Sequence, residues 1–241
     1  MNLTINNPDI KWWLKSSIGS FAIGQHLLML KSRKKDLFVS KNSDVLIEGF
    51  PRSGNTFALA SFIYFLNNSL NISSHRHEIG NIKRAIRLKK KVLVIVRNPR
   101  DSVCSFIVRE KVSGRFALGF YLKFHKFVLM NRHHIKIIKF EDLIHHPKHV
   151  VNTFFNIDRD REWKDFNYEI NQIVNSLELK DSGLKSIRED FVAIPSKKRN
   201  RKKQRCFDQL EADLKHELEK AEKTYQQLLE YRVNFENTSP S

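Results

Sequence analysis

The 241-residue chain contains only two cysteines, eight glycines and six prolines. Two cysteines, Cys104 and Cys206, are too few for a disulfide framework, so we expect a reducing, cytoplasmic environment. The scarcity of glycine and proline leaves little room for low-complexity linkers, and no internal repeat is present. The chain also lacks an uninterrupted apolar run of transmembrane length and the layout of a signal peptide. These absences favour one globular domain.

Acidic residues are few relative to basic ones. Lys and Arg number 43 against 26 Asp and Glu, which gives a net charge of +17. This excess indicates an anionic ligand, an anionic macromolecule, or both, and does not by itself indicate nucleic acid. It is densest between Pro195 and Arg205, where seven of eleven residues are cationic. That run is interpreted either as a solvated basic surface or as part of an anion site.

The N-terminal segment carries an interrupted apolar stretch, Trp12-Trp13-Leu14 followed by residues 18–30. Gly, Gln and His interrupt it, which excludes a membrane span. The favoured interpretation is a helix packed on the domain. The alternative is an interfacial helix on an anionic membrane, with Lys11, Lys15 and Lys31 at its edges.

Apolar runs with strand and helix signatures alternate through the central part of the chain. The predicted strands cover residues 44–50, 91–97 and 134–140, and the predicted helices cover residues 55–68, 81–90, 99–110 and 116–130, with a further helix after Pro147. This alternation predicts an α/β fold, a three-layer α/β/α arrangement around a central parallel sheet of the P-loop NTPase type. We expect one domain over residues 1–241: an N-terminal helical segment (1–43), a core (44–156) and a helical, basic C-terminal part (157–241). The leucines after residue 205 predict an amphipathic terminal helix.

The segment Gly49–Thr56 lies between a predicted strand and a predicted helix. Its spacing, G-x4-G-x-T, is that of a phosphate-binding loop in a nucleotide-binding protein. The lysine expected before the threonine is replaced by Asn55, and Arg52 is the only cation in the loop. Backbone amides and a helix N-terminus can still bind an anion. The changed position of the charge argues against an ordinary NTPase.

A second motif follows the strand predicted for residues 91–97. Arg97 ends that strand, and Ser105 lies about two turns into the next helix. A guanidinium and a hydroxyl in these positions can bind one phosphate together. Because ligands of parallel sheets bind at the carboxyl ends of strands, this motif and the loop at 49–56 predict the same crevice.

With these two motifs, in this order, the chain resembles the PAPS-dependent sulfotransferases. The family's Pro-Lys/Arg-Ser-Gly-x-Thr loop matches Pro51–Thr56, and its strand-end Arg and later Ser match Arg97–Ser105. The segment Lys139–Leu143 is similar to the family's Tyr-Glu-Asp-Leu segment. The resemblance covers roughly residues 44–156 and is strongest to compact, prokaryotic-type members.

The resemblance implies a set of PAPS-binding residues. The loop would bind the 5′-phosphosulfate, Arg97 and Ser105 would bind the 3′-phosphate, and Phe140 stands where many members have tyrosine. The family's Arg-Lys-Gly segment is missing, and the basic run would substitute for it. The implied residues are Arg52, Ser53, Gly54, Asn55, Thr56, Phe57, Arg97, Ser105, Phe140, Lys197 and Arg199.

The resemblance also implies a catalytic base before the strand that ends in Arg97. His77 occupies that place, His75 is the second candidate, and Glu78 remains a third because some branches use glutamate. A neutral imidazole can accept a proton near pH 7. From the residues alone, both histidines are equally compatible with a polar surface loop.

The implied reaction is in-line transfer of the sulfuryl group from PAPS to a hydroxyl or amine, with Arg52 stabilising charge on the leaving group. No metal is expected, because the histidines at 133–134 and 145–146 lack ligand spacing. The expected acceptor is a small molecule, lipid or carbohydrate, with charge favouring an anionic one, and peripheral membrane contact is compatible with the sequence. The alternatives are a nucleotide or small-molecule kinase on the same scaffold, and a non-enzymatic nucleic-acid-binding module at residues 185–205, although no nucleic-acid partner is expected.

Overall fold

The computed structural model describes residues 7–21, 24, 28–30, 37–67, 69–155, 166–182 and 197–235. Within these ranges, four strands form one parallel sheet in the order β2-β1-β3-β4. The strands are β1 (Val45–Gly49), β2 (Ile72–Ser74), β3 (Lys91–Val96) and β4 (Lys136–Lys139).

The helices that the structure describes from end to end pack around this sheet. They are α1 (Pro8–Ile18), α2 (Asn55–Leu66), α3 (Ile79–Arg87), α4 (Pro99–Glu110), α5 (Gly114–Met130), α6 (Phe140–His145), α7 (Pro147–Asn152), α8 (Phe166–Ser182), α9 (Lys197–Asp213) and α10 (Lys215–Leu229). None of the described helices is long and apolar enough to cross a membrane.

Most predicted elements are confirmed, with three corrections. The strand β2 was not predicted, because three residues of sequence Ile-Ser-Ser carry almost no apolar signal. The strand β4 begins only at Lys136, because the preceding residues 132–134 form a 3-10 turn. The predicted terminal helix is two helices, α9 and α10, and residues 197–205 of the basic run form the start of α9.

Both faces of the sheet are buried, which confirms the predicted three-layer arrangement. Along β1 and β3 the side chains alternate between two apolar clusters, as the period of a strand requires. The first cluster includes residues of α3, α4, α5 and α10, and the second includes residues of α2, α7 and α8. Near-continuous apolar strands are typical of a parallel sheet covered on both faces.

The strand order creates a crevice above the sheet. From β1 the chain passes outward to β2 on one side and then to β3 on the other. The carboxyl ends of β1 and β3 therefore form a topological switch point, where α/β sheets bind ligands.

His125 on α5 is fully buried in the first cluster. Its Nδ1–H donates to the carbonyl of Tyr121 at 2.9 Å, and the two rings lie 3.9 Å apart. Its Nε2 is buried and has no hydrogen-bond partner among the described residues. Burial lowers the pKa of His125 to about 4, so the imidazole is neutral in the folded protein.

We expect His125 to make folding stability dependent on pH. As pH falls from 6.5 towards 4, unfolded chains protonate this imidazole while folded chains exclude the proton, which costs up to about 3 kcal/mol. The variant His125→Phe keeps the ring volume and removes this dependence. Urea unfolding of both proteins across this range measures the difference in slope, and equal slopes would show that His125 is protonated or hydrated in the fold.

Candidate functional site

The loop at the end of β1 has the backbone geometry of an anion-binding turn. Arg52 and Gly54 adopt left-handed conformations, with φ values of 69° and 96°. The turn is closed by the Ser53 N–H, which donates to the Phe50 carbonyl at 3.1 Å. The helix α2 starts at Asn55, and Ala58 N–H bonds back to the Gly54 carbonyl at 3.0 Å. The first-turn amides of α2 therefore face the crevice without intrahelical acceptors.

Gly54 is required by both conformation and space. Its φ of 96° is strained for any residue with a Cβ. A Cβ here would also lie 2.8 Å from the ring of Phe140, which follows β4. The loop and the end of β4 therefore pack directly on one another, a contact that the sequence did not reveal.

Three buried polar atoms around the loop have no hydrogen-bond partner within the described part of the chain. They are Ser53 Oγ, Asn55 Oδ1 and Arg97 Nε. An unpaired buried polar atom costs about 1–3 kcal/mol, so folded proteins rarely leave several together. Their concentration at the switch point indicates a site that accommodates a polar ligand.

Arg97 follows β3 and points towards the loop. Its Nη1 donates to the Arg52 carbonyl at 3.1 Å, and its guanidinium lies 4.0 Å from the Phe140 ring centroid. The Tyr121 hydroxyl donates to the Arg97 carbonyl at 3.0 Å, which fixes the backbone at this point. Asp101, one turn into α4, lies 4.0 Å from Nη2. Phe140 is thus held between Arg97 and Gly54.

Ser105 connects the two motifs through a side chain. Arg52 Nε donates to Ser105 Oγ at 3.1 Å, and Ser105 is nearly buried. The sequence pattern predicted that Ser105 shares a ligand with Arg97. In the structure both residues contact Arg52. Ser105 accepts a hydrogen bond from the Arg52 side chain, and Arg97 donates one to the Arg52 backbone carbonyl.

Phe57, Lys197 and Arg199 are the remaining predicted nucleotide contacts. The partly buried Phe57 side chain packs against the second apolar cluster. Lys197 begins α9, but the side chains of Lys197 and Arg199 lie outside the described residues. The helix α9 lies along α4, where Lys203 Nζ is 3.2 Å from Asp101 Oδ1.

A buried carboxylate positions the histidine loop. Glu48 in β1 is fully buried and accepts the backbone N–H groups of Arg76 and His77 at 3.1 and 2.9 Å. Asn81 Nδ2 donates to the same carboxylate at 3.2 Å. Desolvation raises the pKa of Glu48 to about 7, opposed by these hydrogen bonds. Glu48 was missed because it stands inside an apolar run that was interpreted only as a strand.

His77 is held in one orientation and one tautomer. Its backbone is left-handed, with φ at 57°, and its Nδ1 lies 2.8 Å from the Gly49 carbonyl. A carbonyl only accepts hydrogen bonds, so Nδ1 carries the proton and Nε2 carries the lone pair. Burial lowers the pKa of His77 well below its usual value, with the charge of Lys15 acting in the same direction. The imidazole is therefore neutral near pH 7.

His75 is engaged at both ring nitrogens. Nδ1 lies 2.7 Å from Ser74 Oγ, and Nε2 lies 3.1 Å from Thr56 Oγ1. His75 thus links the end of β2 to the first turn of α2. The third candidate, Glu78, is buried and paired with Arg76 Nη2 at 2.6 Å. Within the described ranges, no group of three His, Cys, Asp or Glu side chains is arranged to bind a metal ion.

Comparison with known proteins finds a similarity to solved structures, and not to family models or curated sequences. No protein-family model and no curated protein sequence matches the chain. Among solved structures, the chain is similar to mouse sulfotransferase SULT7A1 complexed with PAP, at 15% sequence identity and a TM-score of 0.41, covering 80% of this chain and 92% of that one. The reaction is therefore inferred from the residues of the site.

Gly54→Ala tests the geometry of the loop. We expect a loss of stability of about 1–2 kcal/mol from the left-handed backbone alone, and more if the Phe140 ring is displaced. The control is Gly119→Ala in α5, where an added Cβ meets nothing within 4 Å and should stabilise the helix by about 1 kcal/mol. Urea unfolding measures both changes, and equal effects would contradict the assigned conformation of Gly54.

Proposed function

We propose that this protein is a sulfotransferase that moves the sulfuryl group of PAPS to a hydroxyl or amine and releases adenosine 3′,5′-bisphosphate. One observation carries the proposal: two anion-binding motifs that are far apart in sequence meet at the switch point. Arg97 contacts the Arg52 carbonyl and Arg52 contacts Ser105, both at 3.1 Å. PAPS has two separate anionic groups, which matches two adjacent motifs.

The same residues favour PAPS over ATP with magnesium. A kinase loop uses a lysine immediately before its Ser or Thr, whereas this loop has Asn55. The Arg97 and Ser105 pair suits a 3′-phosphate, which ATP lacks. The kinase remains the second candidate because the scaffold, with a phosphate loop after β1, is common to both enzymes.

In this proposal the chain's own groups stabilise charge in place of a metal. The amides at the start of α2 and the Thr56 hydroxyl bind the 5′-phosphate, and Arg52 neutralises charge on the departing oxygen. Thr56 can donate its proton to a phosphate when His75 Nε2 carries hydrogen, a tautomer that the Ser74 hydroxyl supports by donating to Nδ1. PAPS supplies the activated sulfuryl group.

His77 is the proposed general base. Its Nε2 accepts the proton of the acceptor hydroxyl as the new oxygen–sulfur bond forms and the bond to the 5′-phosphate oxygen breaks. His77 suits this role because Gly49 occupies only Nδ1 and burial keeps the ring neutral. His75 is less suited, because both of its ring nitrogens are hydrogen-bonded.

Calorimetric titration with adenosine 3′,5′-bisphosphate tests the nucleotide site. We expect wild-type protein to bind the bisphosphate and to bind ATP with Mg²⁺ much more weakly. Arg97→Ala should weaken bisphosphate binding about 30-fold, or about 2 kcal/mol, because a charged hydrogen bond is lost. The control Arg87→Ala removes an exposed cation at the end of α3 and should leave affinity unchanged. Preference for ATP would reject the sulfotransferase and support the kinase.

Two histidine variants test the choice of base. His77→Ala should reduce turnover at least 100-fold, the usual contribution of a general base, with bisphosphate affinity nearly unchanged. His75→Ala should weaken bisphosphate binding, because Thr56 loses its partner, and should retain more turnover than His77→Ala. Single-turnover transfer from PAPS and calorimetry separate the two effects. The reverse result would assign the base to His75.

A further inference from the structure

The surroundings of the proposed base His77 mostly oppose its protonation. Desolvation lowers the pKa of His77 well below its usual value, and the charges of Lys15, His75 and Arg76 act in the same direction. A general base is most effective when its affinity for a proton matches the working pH. A ring held neutral in this way is free to accept a proton but retains it poorly, so the base needs a negative charge beside it.

Glu48 in β1 is a carboxylate that lies against this ring. Its Oε2 is 3.8 Å from His77 Nδ1 and accepts the His77 backbone N–H at 2.9 Å. The Glu48 side chain is fully buried, and only 14% of the His77 side chain is exposed. Water therefore screens the two groups from each other only weakly. An opposite charge at such a distance changes the proton affinity of a group by about 10- to 1000-fold.

The hydrogen-bond donors that hold Glu48 are electrically neutral. They are the backbone N–H groups of Arg76 and His77 and the side-chain amide of Asn81. Neutral donors orient the carboxylate without cancelling its charge, which therefore remains available to the ring. Burial raises the pKa of Glu48 to about 7, against the effect of these hydrogen bonds. The carboxyl group therefore changes its charge near neutral pH.

The other charged groups that face the base do not replace Glu48. Glu78 pairs with Arg76, with 2.6 Å from Oε1 to Nη2, so its charge is offset within the loop. Lys15 on α1 interacts electrostatically with both glutamates and with the base, and it adds positive charge. The ring of His75 lies 6.2 Å from that of the base. Removing the charge of Glu48 would leave the ring facing mainly cationic groups.

We propose that Glu48 is a positioning residue for the reaction, and that its negative charge stabilises the imidazolium that His77 becomes when it accepts the acceptor's proton. This inference rests on the proposed function of His77 as the base. The proton moves from the acceptor oxygen to His77 Nε2, and Glu48 exchanges no proton in this step. Its carboxylate offsets the positive charge that the ring gains, which a neutral side chain of the same shape would not do.

Nuclear magnetic resonance of the nitrogen-15-labelled His77 ring tests the interaction without an acceptor. In wild-type protein the ring signals should shift with a midpoint near pH 7, where Glu48 gains or loses its proton. Glu48→Gln should abolish this step. Asn81→Ala should move it to higher pH, because a hydrogen bond that favours the ionised carboxylate is lost. The spectrum of His77→Gln assigns the signals.

Single-turnover hydrolysis of PAPS, with water as the acceptor, tests whether the reaction uses this charge. The wild-type rate should rise as pH increases through about 7, because Glu48 becomes ionised. Glu48→Gln should lose this rise and be at least tenfold slower above it, with bisphosphate affinity nearly unchanged. Asn81→Ala should reach the wild-type rate at a higher pH. The matched control Glu169→Gln removes an exposed carboxylate on α8 and should behave as wild type.

A structural role alone gives a different pattern. Glu48→Gln and Asn81→Ala would then both be slower at every pH and would keep the wild-type midpoint, which would overturn the inference. A His77 resonance titration that Glu48→Gln leaves unchanged would overturn it as well. Urea unfolding shows which variants fold, and if Glu48→Gln does not fold, the midpoint of Asn81→Ala decides.

Failure of this inference is distinguishable from failure of the proposed function. If wild-type protein binds the bisphosphate and requires His77, but its rate and pH profile do not depend on Glu48, only the role of Glu48 is wrong. If it does not bind the bisphosphate, the proposed function fails, and the role of Glu48 in the reaction fails with it. The resonance titration then reports an electrostatic pair that has no part in sulfuryl transfer.

Discussion

The parallel pairing of β1 with β3 is the interaction on which the candidate site depends. Its register sets Gly49 opposite Ile95, so the two strands end at nearly the same level. The loop after Gly49 and the arginine after β3 then have to occupy neighbouring positions, and Arg97 reaches the Arg52 carbonyl across that gap. Because all four strands are parallel, β2 and β4 deliver their own following residues to the same edge.

Each strand contributes a different chemical group to this edge. The loop after β1 supplies amides and Arg52, and β3 supplies Arg97. The segment after β2 supplies the histidines, and β4 is followed by Phe140, which fills the space between Arg97 and Gly54. The parallel sheet thus gathers groups from distant parts of the sequence without long connecting loops.

Glu48 shows how the fold maintains an unfavourable backbone next to the site. Both His75 and His77 adopt left-handed conformations, which cost free energy for residues with a Cβ. A buried carboxylate is itself costly unless its oxygens are hydrogen-bonded. The same hydrogen bonds offset both unfavourable terms, because the backbone N–H groups of Arg76 and His77 in the strained segment donate to the Glu48 carboxylate. A buried side chain of β1 thereby holds the loop that carries His75 and His77.

The sequence predicted the parts of the molecule that depend on local pattern. The runs that became β1 and β3 are continuously apolar, and the two anion motifs have fixed spacings, so both were recognisable. Glu48 was not, because its function depends on the amides that the β2 connection brings to it. The contact of Phe140 with Gly54 is also tertiary. For α1 the sequence favoured a helix packed on the domain, and the hydrogen bond from Trp12 Nε1 to Glu110 joins this helix to the end of α4.

Arg52 makes a structural hydrogen bond through Nε, an atom that lysine lacks. A lysine presents a single ammonium group, whereas an arginine has Nε in addition to its two terminal nitrogens. In this loop Nε bonds to Ser105 on α4, while the backbone carbonyl of the same residue accepts from Arg97. Arg52 therefore holds the second motif against the first as well as supplying charge. A lysine here would offer one ammonium group both for the bond to Ser105 and for the charge, whereas arginine makes the bond to Ser105 through Nε.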